Sequence, residues 1–320
     1  MHPDSARELK ARILERLPTA PAVAEAAGPD APWPWVAVGL TPTAGRRIGV
    51  AIRLQRESDR ALLPDLGAAA AAVVDVQVIG RVRALSCPAP AELRQRVRPL
   101  RPGLSVAHPA VTAGTLGGFV RTAAGLSILS NNHVLAASGG AAPGDAVLQP
   151  GPADGGRPAD RVATLTAFER FGAGPPNRVD AAVAALAPDI TANPGDLPGG
   201  PLTGAVPAGL DVDPDEAVEK VGRTTGHTRG RITAVEVDAV AVQYDGVVHR
   251  FDDQIEIHGL VGSFSAGGDS GSVVWRSRDR APTGLLFAGS ATGGSSGGGV
   301  TFANPLDTVL AVLGATWVPC

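Results

Sequence analysis

Aromatic residues make up only 4% of this 320-residue chain, so its basic stretches lack the stacking partners that single-stranded nucleic acid requires. An excess of one charge sign is also missing. Lys and Arg number 28 against 31 Asp and Glu, a net charge of −3, which argues against a polyanion or an anionic membrane as partner. Two cysteines, Cys87 and Cys320, are too few for a disulfide framework and too far apart for a CxxC redox or zinc motif. Two free thiols are the simpler reading than a bridge. Apolar runs are short: the longest, residues 67–74, is mostly alanine and far below the roughly 20 residues that span a bilayer. The first residues hold no apolar run of the kind a secretory signal needs, so a cytoplasmic protein is expected. No internal repeat of roughly 20–50 residues is evident.

The chain does have glycine (41) and proline (28), together more than a fifth of all residues, which implies many turns and many strands. With 44% apolar and 18% charged residues it can build one or two ordinary globular cores. Ser5 and Glu8 stand at capping-box spacing, and Leu9, Ile13, Leu14 and Leu17 follow on one face, which predicts a helix over residues 5–17. Prolines at 18, 21, 29, 32 and 34 then mark a linker. β-rich runs at 35–40, 48–54 and 73–82, with a helix expected between 59 and 72, describe a small N-terminal α/β module. Six arginines between Arg81 and Arg101 sit among prolines and read as a solvated connector in preference to a nucleic-acid patch.

From about residue 108 the texture changes to short apolar runs at 117–120, 126–129, 179–186, 231–242, 247–251, 272–275 and 284–288, divided by Gly, Pro and Asp. That pattern predicts a mainly β domain of sandwich or barrel type. Asn304 followed by Pro305 predicts the cap and first position of a closing C-terminal helix that ends at Gly314. The expected division is residues 1–103 for the N-terminal helix, linker and module, and 104–320 for the β domain.

Three segments carry nucleophilic chemistry. His133 follows a polar turn at the end of the apolar run Ile128-Leu129, Asp180 leads into Ala181-Ala182-Val183, and Ser270 sits in Gly267-Gly268-Asp269-Ser270-Gly271 ahead of Val273-Val274-Trp275. Separations of 47 and 90 residues let each group arrive from its own strand or loop. A serine hydroxyl needs a neighbouring base, and imidazole is the side chain suited to that task near neutral pH. His133 would take the Ser270 proton and pass it to the leaving amine, while Asp180 would fix the tautomer and stabilise the imidazolium. Glycines at 267, 268 and 271 free the backbone so that the Gly268 and Ser270 N–H groups can hold an oxyanion. Asp154, Asp160 and Asp189 compete with Asp180, but each lies in a Gly/Pro or Ala/Pro loop with no apolar strand after it.

In this order the segments resemble those of the trypsin/chymotrypsin-like serine peptidases, over residues 110–318. Around the histidine, with Gly144-Asp145 and Gln149-Pro150-Gly151 following, the wording is similar to the intracellular bacterial and plant branch typified by the narrow-leaf group. The resemblance implies a chymotrypsin-like double β-barrel, a serine endopeptidase and a protein or peptide substrate. It also implies that Phe264, six residues before the serine, stands at the base of the primary specificity pocket, where enzymes cutting after Lys or Arg carry aspartate. A small or apolar residue before the cleaved bond is therefore expected. Phe287, Ala288 and Gly289 resemble the edge strand along which an extended substrate pairs. In digestive members the aspartate before the serine, here Asp269, pairs with a new N-terminus, yet no such cleavage motif precedes Gly114.

No cofactor or metal is implied: His249 and His258 lie near Asp252, Asp253 and Glu256 without ligand spacing, and His227 reads as a loop residue. The glycine run 293–299 lacks the ending of a phosphate loop. A noncatalytic peptide-binding scaffold stays open as an alternative, as do a homo-oligomer and a regulatory protein partner for the N-terminal module.

Overall fold

The computed structural model describes residues 1–18, 23–25, 35–43, 47–67, 70, 72–82, 91–172, 176–204, 216–294 and 297–319. Cys87, Cys320 and most of the expected linker lie outside the described residues.

Helix α1, Pro3–Arg16, opens the chain and buries Ala6, Leu9 and Ile13, the face that the apolar spacing marks out. Strand β1 (Val23–Glu25) falls within the stretch read as linker. β2 (Val36–Thr43) and β3 (Arg47–Leu54) form a hairpin paired in unbroken register from Val36↔Leu54 to Thr43↔Arg47. β4 (Val74–Val78) adds in parallel to β3, and between them residues 57–62 form a 3-10 helix. Helix α2 (Ala91–Arg94) follows.

The first barrel is built from β7 (Gly118–Thr122), β8 (Gly125–Ser130), β9 (Ala146–Leu148), β10 (Arg161–Phe168) and β11 (Ala182–Leu186), preceded by the short pair β5 (Ser105–Val106) and β6 (Gly114–Thr115). Its sixth strand, β20 (Thr316–Trp317), comes from the far end of the chain and pairs with β7. Phe119, Ile128, Leu129, Val162 and Val183 fill its core. Leu93, Leu100 and Leu104 pack in the same apolar cluster.

The second barrel comprises β12 (Ala217–Gly222), β13 (Gly226–Asp238), β16 (Gln254–Gly259), β17 (Val273–Arg276), β18 (Pro282–Gly289) and β19 (Thr301–Pro305). The order β12-β17-β18-β19-β16-β13 closes on itself through β12–β13 pairing. A hairpin, β14 (Val240–Tyr244) and β15 (Val247–Phe251), projects from it, and β1 pairs with β15. The chain thus has the mainly β, chymotrypsin-like double-barrel fold.

β13 is long enough to serve two partners on one edge. Its first half pairs with β12, and beyond that Val235 and Asp238 pair with Leu40 and Val38 of β2. The N-terminal strands therefore extend the barrel into a nine-stranded sheet. Val38, Leu40, Ile52 and α1 share one apolar cluster with Val218, Ile232, Ile257 and Phe264. The module is continuous with the second barrel, a union that strand patterns within either segment do not disclose.

Two local expectations are corrected. Asn304 does not cap the last helix: it is a buried β19 residue, Pro305 precedes α4 (Leu306–Val312), and β20 follows that helix. His227 lies on β13, not in a loop, with Nε2 2.6 Å from Glu219 on the adjoining strand. Three of the connector arginines have protein partners: exposed Arg96 pairs with Asp160, Arg98 with Gln149 and Arg101 with Asp196.

Candidate active site

β8 delivers the histidine. The strand ends at Ser130, Asn131 adopts an extended backbone, and helix α3 (Asn132–Leu135) makes one turn whose Val134 and Leu135 enter the first-barrel core. This anchoring leaves His133 at the surface of the turn with its side chain 10% exposed.

Asp180 lies two residues before β11 and is fully buried. Its N–H donates to Asn304 Oδ1 at 3.0 Å, and its carbonyl accepts from Asn131 Nδ2 at 2.6 Å. Asn304 in turn donates to Gln254 Oε1, so β19 and β16 of the second barrel fix an aspartate that belongs to the first. Oδ2 of Asp180 lies 2.5 Å from His133 Nδ1, and Oδ1 accepts the His133 backbone N–H at 3.2 Å. An ionised carboxylate only accepts, so Nδ1 carries the proton and Nε2 is left as the basic nitrogen. Asp154, a competitor in sequence, is instead bound by Arg223 through Nε at 2.7 Å and Nη2 at 2.5 Å.

Ser270 is 5% exposed, and its Oγ donates to Phe287 O at 3.4 Å. Its carbonyl accepts from Thr115 N at 2.8 Å, across the seam between the barrels. A Cβ built on Gly114 would lie 2.4 Å from Val134 Cγ2 and 3.1 Å from Ser270 O. The residue after His133 and the backbone of Ser270 thus flank the same glycine.

Gly268 has φ +92°, a left-handed conformation that glycine adopts without strain. Thr115 Oγ1 donates to its carbonyl at 2.8 Å, and Thr224 Oγ1 donates to Gly267 O at 2.6 Å. Among the described residues, neither the Gly268 nor the Ser270 N–H donates to a protein acceptor. Two neighbouring amides with no protein acceptor among the described residues suit an incoming anionic oxygen.

Beneath this turn, Asp269 is saturated. It accepts from the N–H groups of Ala266, Thr224 and Thr225 and from Thr225 Oγ1, and Lys220 Nζ lies 3.2 Å from its Oδ2. Both charged side chains are fully buried. Burial pushes the Lys220 ammonium below its ordinary value, with the attraction of Asp269 opposing it.

Phe264 is 2% exposed and its ring packs in the cluster shared with the N-terminal module, so it presents no side-chain charge at this site. Ser265 Oγ and Thr301 Oγ1 lie 2.7 Å apart beside it. β18 is interior, not an edge strand, since it pairs with both β17 and β19. Its last residues, Phe287, Ala288 and Gly289, are buried, lie past the β17 pairing and, among the described residues, have β19 alone as strand partner.

Sequence reasoning misses Tyr244, the chain's only tyrosine. It ends β14 at a two-residue turn, Asp245-Gly246, whose φ values of +46° and +88° match the primed hairpin geometry. Its hydroxyl donates to Asp180 Oδ2 at 2.7 Å. The tyrosine ring stacks with His133, at 5.0 Å between centroids, and with Phe171, at 5.4 Å.

No family model matches the chain, and no curated protein matches it. Among solved structures, a glutamic acid-specific serine protease that uses a histidine triad in substrate binding is similar over 68% of this chain and 100% of its own, at 18% identity and a TM-score of 0.50. Thermobifida fusca protease A (18% identity, TM-score 0.48) and Cellulomonas bogoriensis chymotrypsin (18%, 0.46) each align over 69% of this chain and 100% of their own. At such identities the likeness is one of fold: the chain shares the chymotrypsin-like double β-barrel of bacterial serine proteases.

Proposed function

We propose that the chain is a serine endopeptidase in which Ser270 attacks the scissile carbonyl, His133 moves the proton and Asp180 orients the imidazole. The observation that carries this reading is the His133–Asp180 hydrogen bond, on a turn whose Val134 meets the same glycine as Ser270 O, with a serine turn whose Gly268 and Ser270 amides have no protein acceptor among the described residues. Attack follows rotation of the Ser270 hydroxyl from Phe287 O toward Nε2, which places the developing oxyanion before Gly268 and Ser270 N–H. Each such donor is worth about 3 kcal/mol in the transition state. The acyl-enzyme then falls to water activated by the same imidazole.

The substrate backbone pairs with Phe287, Ala288 and Gly289, the part of β18 that runs on beyond its β17 pairing. With Phe264 apolar at the position implied for the pocket base, a small or apolar residue before the cleaved bond is favoured, and a peptide library that instead returns Lys, Arg or Glu there refutes this. Placement in the intracellular branch, and with it a cytoplasmic setting, rests on the wording around His133. No described helix is long and apolar enough to cross a membrane.

A noncatalytic peptide-binding scaffold draws on one observation, the Ser270 hydroxyl donating to Phe287 O. Labelling with a fluorophosphonate probe separates the readings. Folded wild type should label, and Ser270→Ala and His133→Ala should not. Persistent labelling of Ser270→Ala, or none in folded wild type, overturns the enzyme.

A further inference from the structure

Asp180 carries more than its histidine. Its Oδ2 accepts both His133 Nδ1 and the Tyr244 hydroxyl, and no other polar side chain of the described residues donates to that oxygen. The Asp245-Gly246 turn fixes the end of β14, and Phe171 and His133 both stack on the ring, so the hydroxyl is delivered by backbone and packing. We propose that Tyr244 is a positioning residue of the catalytic machinery, its hydroxyl locking the Asp180 carboxylate in the plane that orients His133. This deepens the peptidase reading and rests on it.

Two features suit the phenol to this duty. Complete burial beside Asp180 holds it well above its ordinary value, so it stays a donor wherever the enzyme works. Hydrogen bonds to a charged acceptor are also the strong ones, and this one constrains a carboxylate whose other bonds, among the described residues, go to His133. A freed carboxylate would rotate, and it would concentrate charge on the imidazolium. Among the described residues His249 also faces Tyr244, at 6.1 Å between centroids, and its burial pushes it below its ordinary value.

Tyr244→Phe keeps the stacked ring and removes only the hydroxyl. Steady-state kinetics on a peptide substrate across pH should show kcat lower by roughly ten- to a hundredfold, the effect of one charge-assisted bond. KM should stay within about twofold, because the phenol touches no substrate. The acidic limb of the kcat/KM profile should move to higher pH, as the less neutralised Asp180 retains the proton on His133 longer. The proton on His133 Nδ1, seen by NMR without substrate, should change position.

Unchanged kcat, limb and resonance in a folded variant overturn the proposal, as does a loss confined to thermal stability. Should Tyr244→Phe fail to fold, 3-fluorotyrosine at this single site supplies a stronger donor of nearly the same shape and should move the resonance the opposite way; no movement overturns the proposal. If wild type does not label with the probe, the peptidase reading fails by itself, while the resonance still reports whether the hydroxyl governs the His133–Asp180 bond.

Discussion

Lys220 and Asp269 form an ion pair sealed from solvent beneath the serine turn, Nζ to Oδ2 at 3.2 Å. The carboxylate gathers Ala266, Thr224 and Thr225 around the turn, and the lysine supplies the countercharge from β12. Asp269 thus takes its countercharge from within the second barrel.

Lys220→Met leaves a buried carboxylate without its counterion, a change that costs about 3–5 kcal/mol. Thermal unfolding should register that loss, and probe labelling of Ser270 should slow by more than about tenfold as the turn relaxes. Wild-type stability together with wild-type labelling in this variant would show that the pair does not support the turn.

Gly268→Ala addresses the turn itself. The backbone angle is strained for alanine, and its Cβ would lie 2.5 Å from Thr224 Oγ1 and 2.6 Å from Arg223 Nη1. The amide should swing away, with kcat falling about a hundredfold and KM changing little, the signature of a donor used in the transition state. A kcat near wild type would mean that this amide does not face the oxyanion.

Acid sensitivity should arise where the module meets the barrel. Arg53, fully buried on β3, reaches Glu256 on β16 with Nε 2.7 Å from Oε2. Burial drives the Glu256 carboxyl up, but the charge and hydrogen bonds of Arg53, with His258 assisting, hold it down at about 2 against an ordinary 4.5. A folded-state value below the unfolded one stabilises the protein above about pH 4.5, and that contribution, about 3 kcal/mol, disappears as pH falls through about 2. Arg53→Met should therefore be most destabilised near neutral pH, with the gap to wild type closing toward pH 2 in urea titrations. A gap independent of pH would contradict the linkage.

The parts legible in sequence are those written locally. His133 after an apolar strand, Asp180 before one and Ser270 among glycines are short-range patterns, and the structure brings the first two into direct contact. Helix α1 and the β2–β3 hairpin are likewise carried by their own periodicity. Tyr244 and Lys220 escaped because a single tyrosine at a turn and a lysine in an alternating strand look like surface residues until tertiary packing buries them. Asn304 met every local rule for a helix cap, yet the orphan N–H it satisfies belongs to Asp180, 124 residues away. The union of β2 with β13 depends on an edge that becomes available only when the second barrel closes.

Since the chain contains one phenol and that phenol sits against Asp180, every optical or fluorine signal from tyrosine originates in a single place. Near-ultraviolet difference spectra of the native chain, or one ¹⁹F line once its tyrosine is replaced by 3-fluorotyrosine, give a single-site spectroscopic reporter of occupancy and chemistry at the seam.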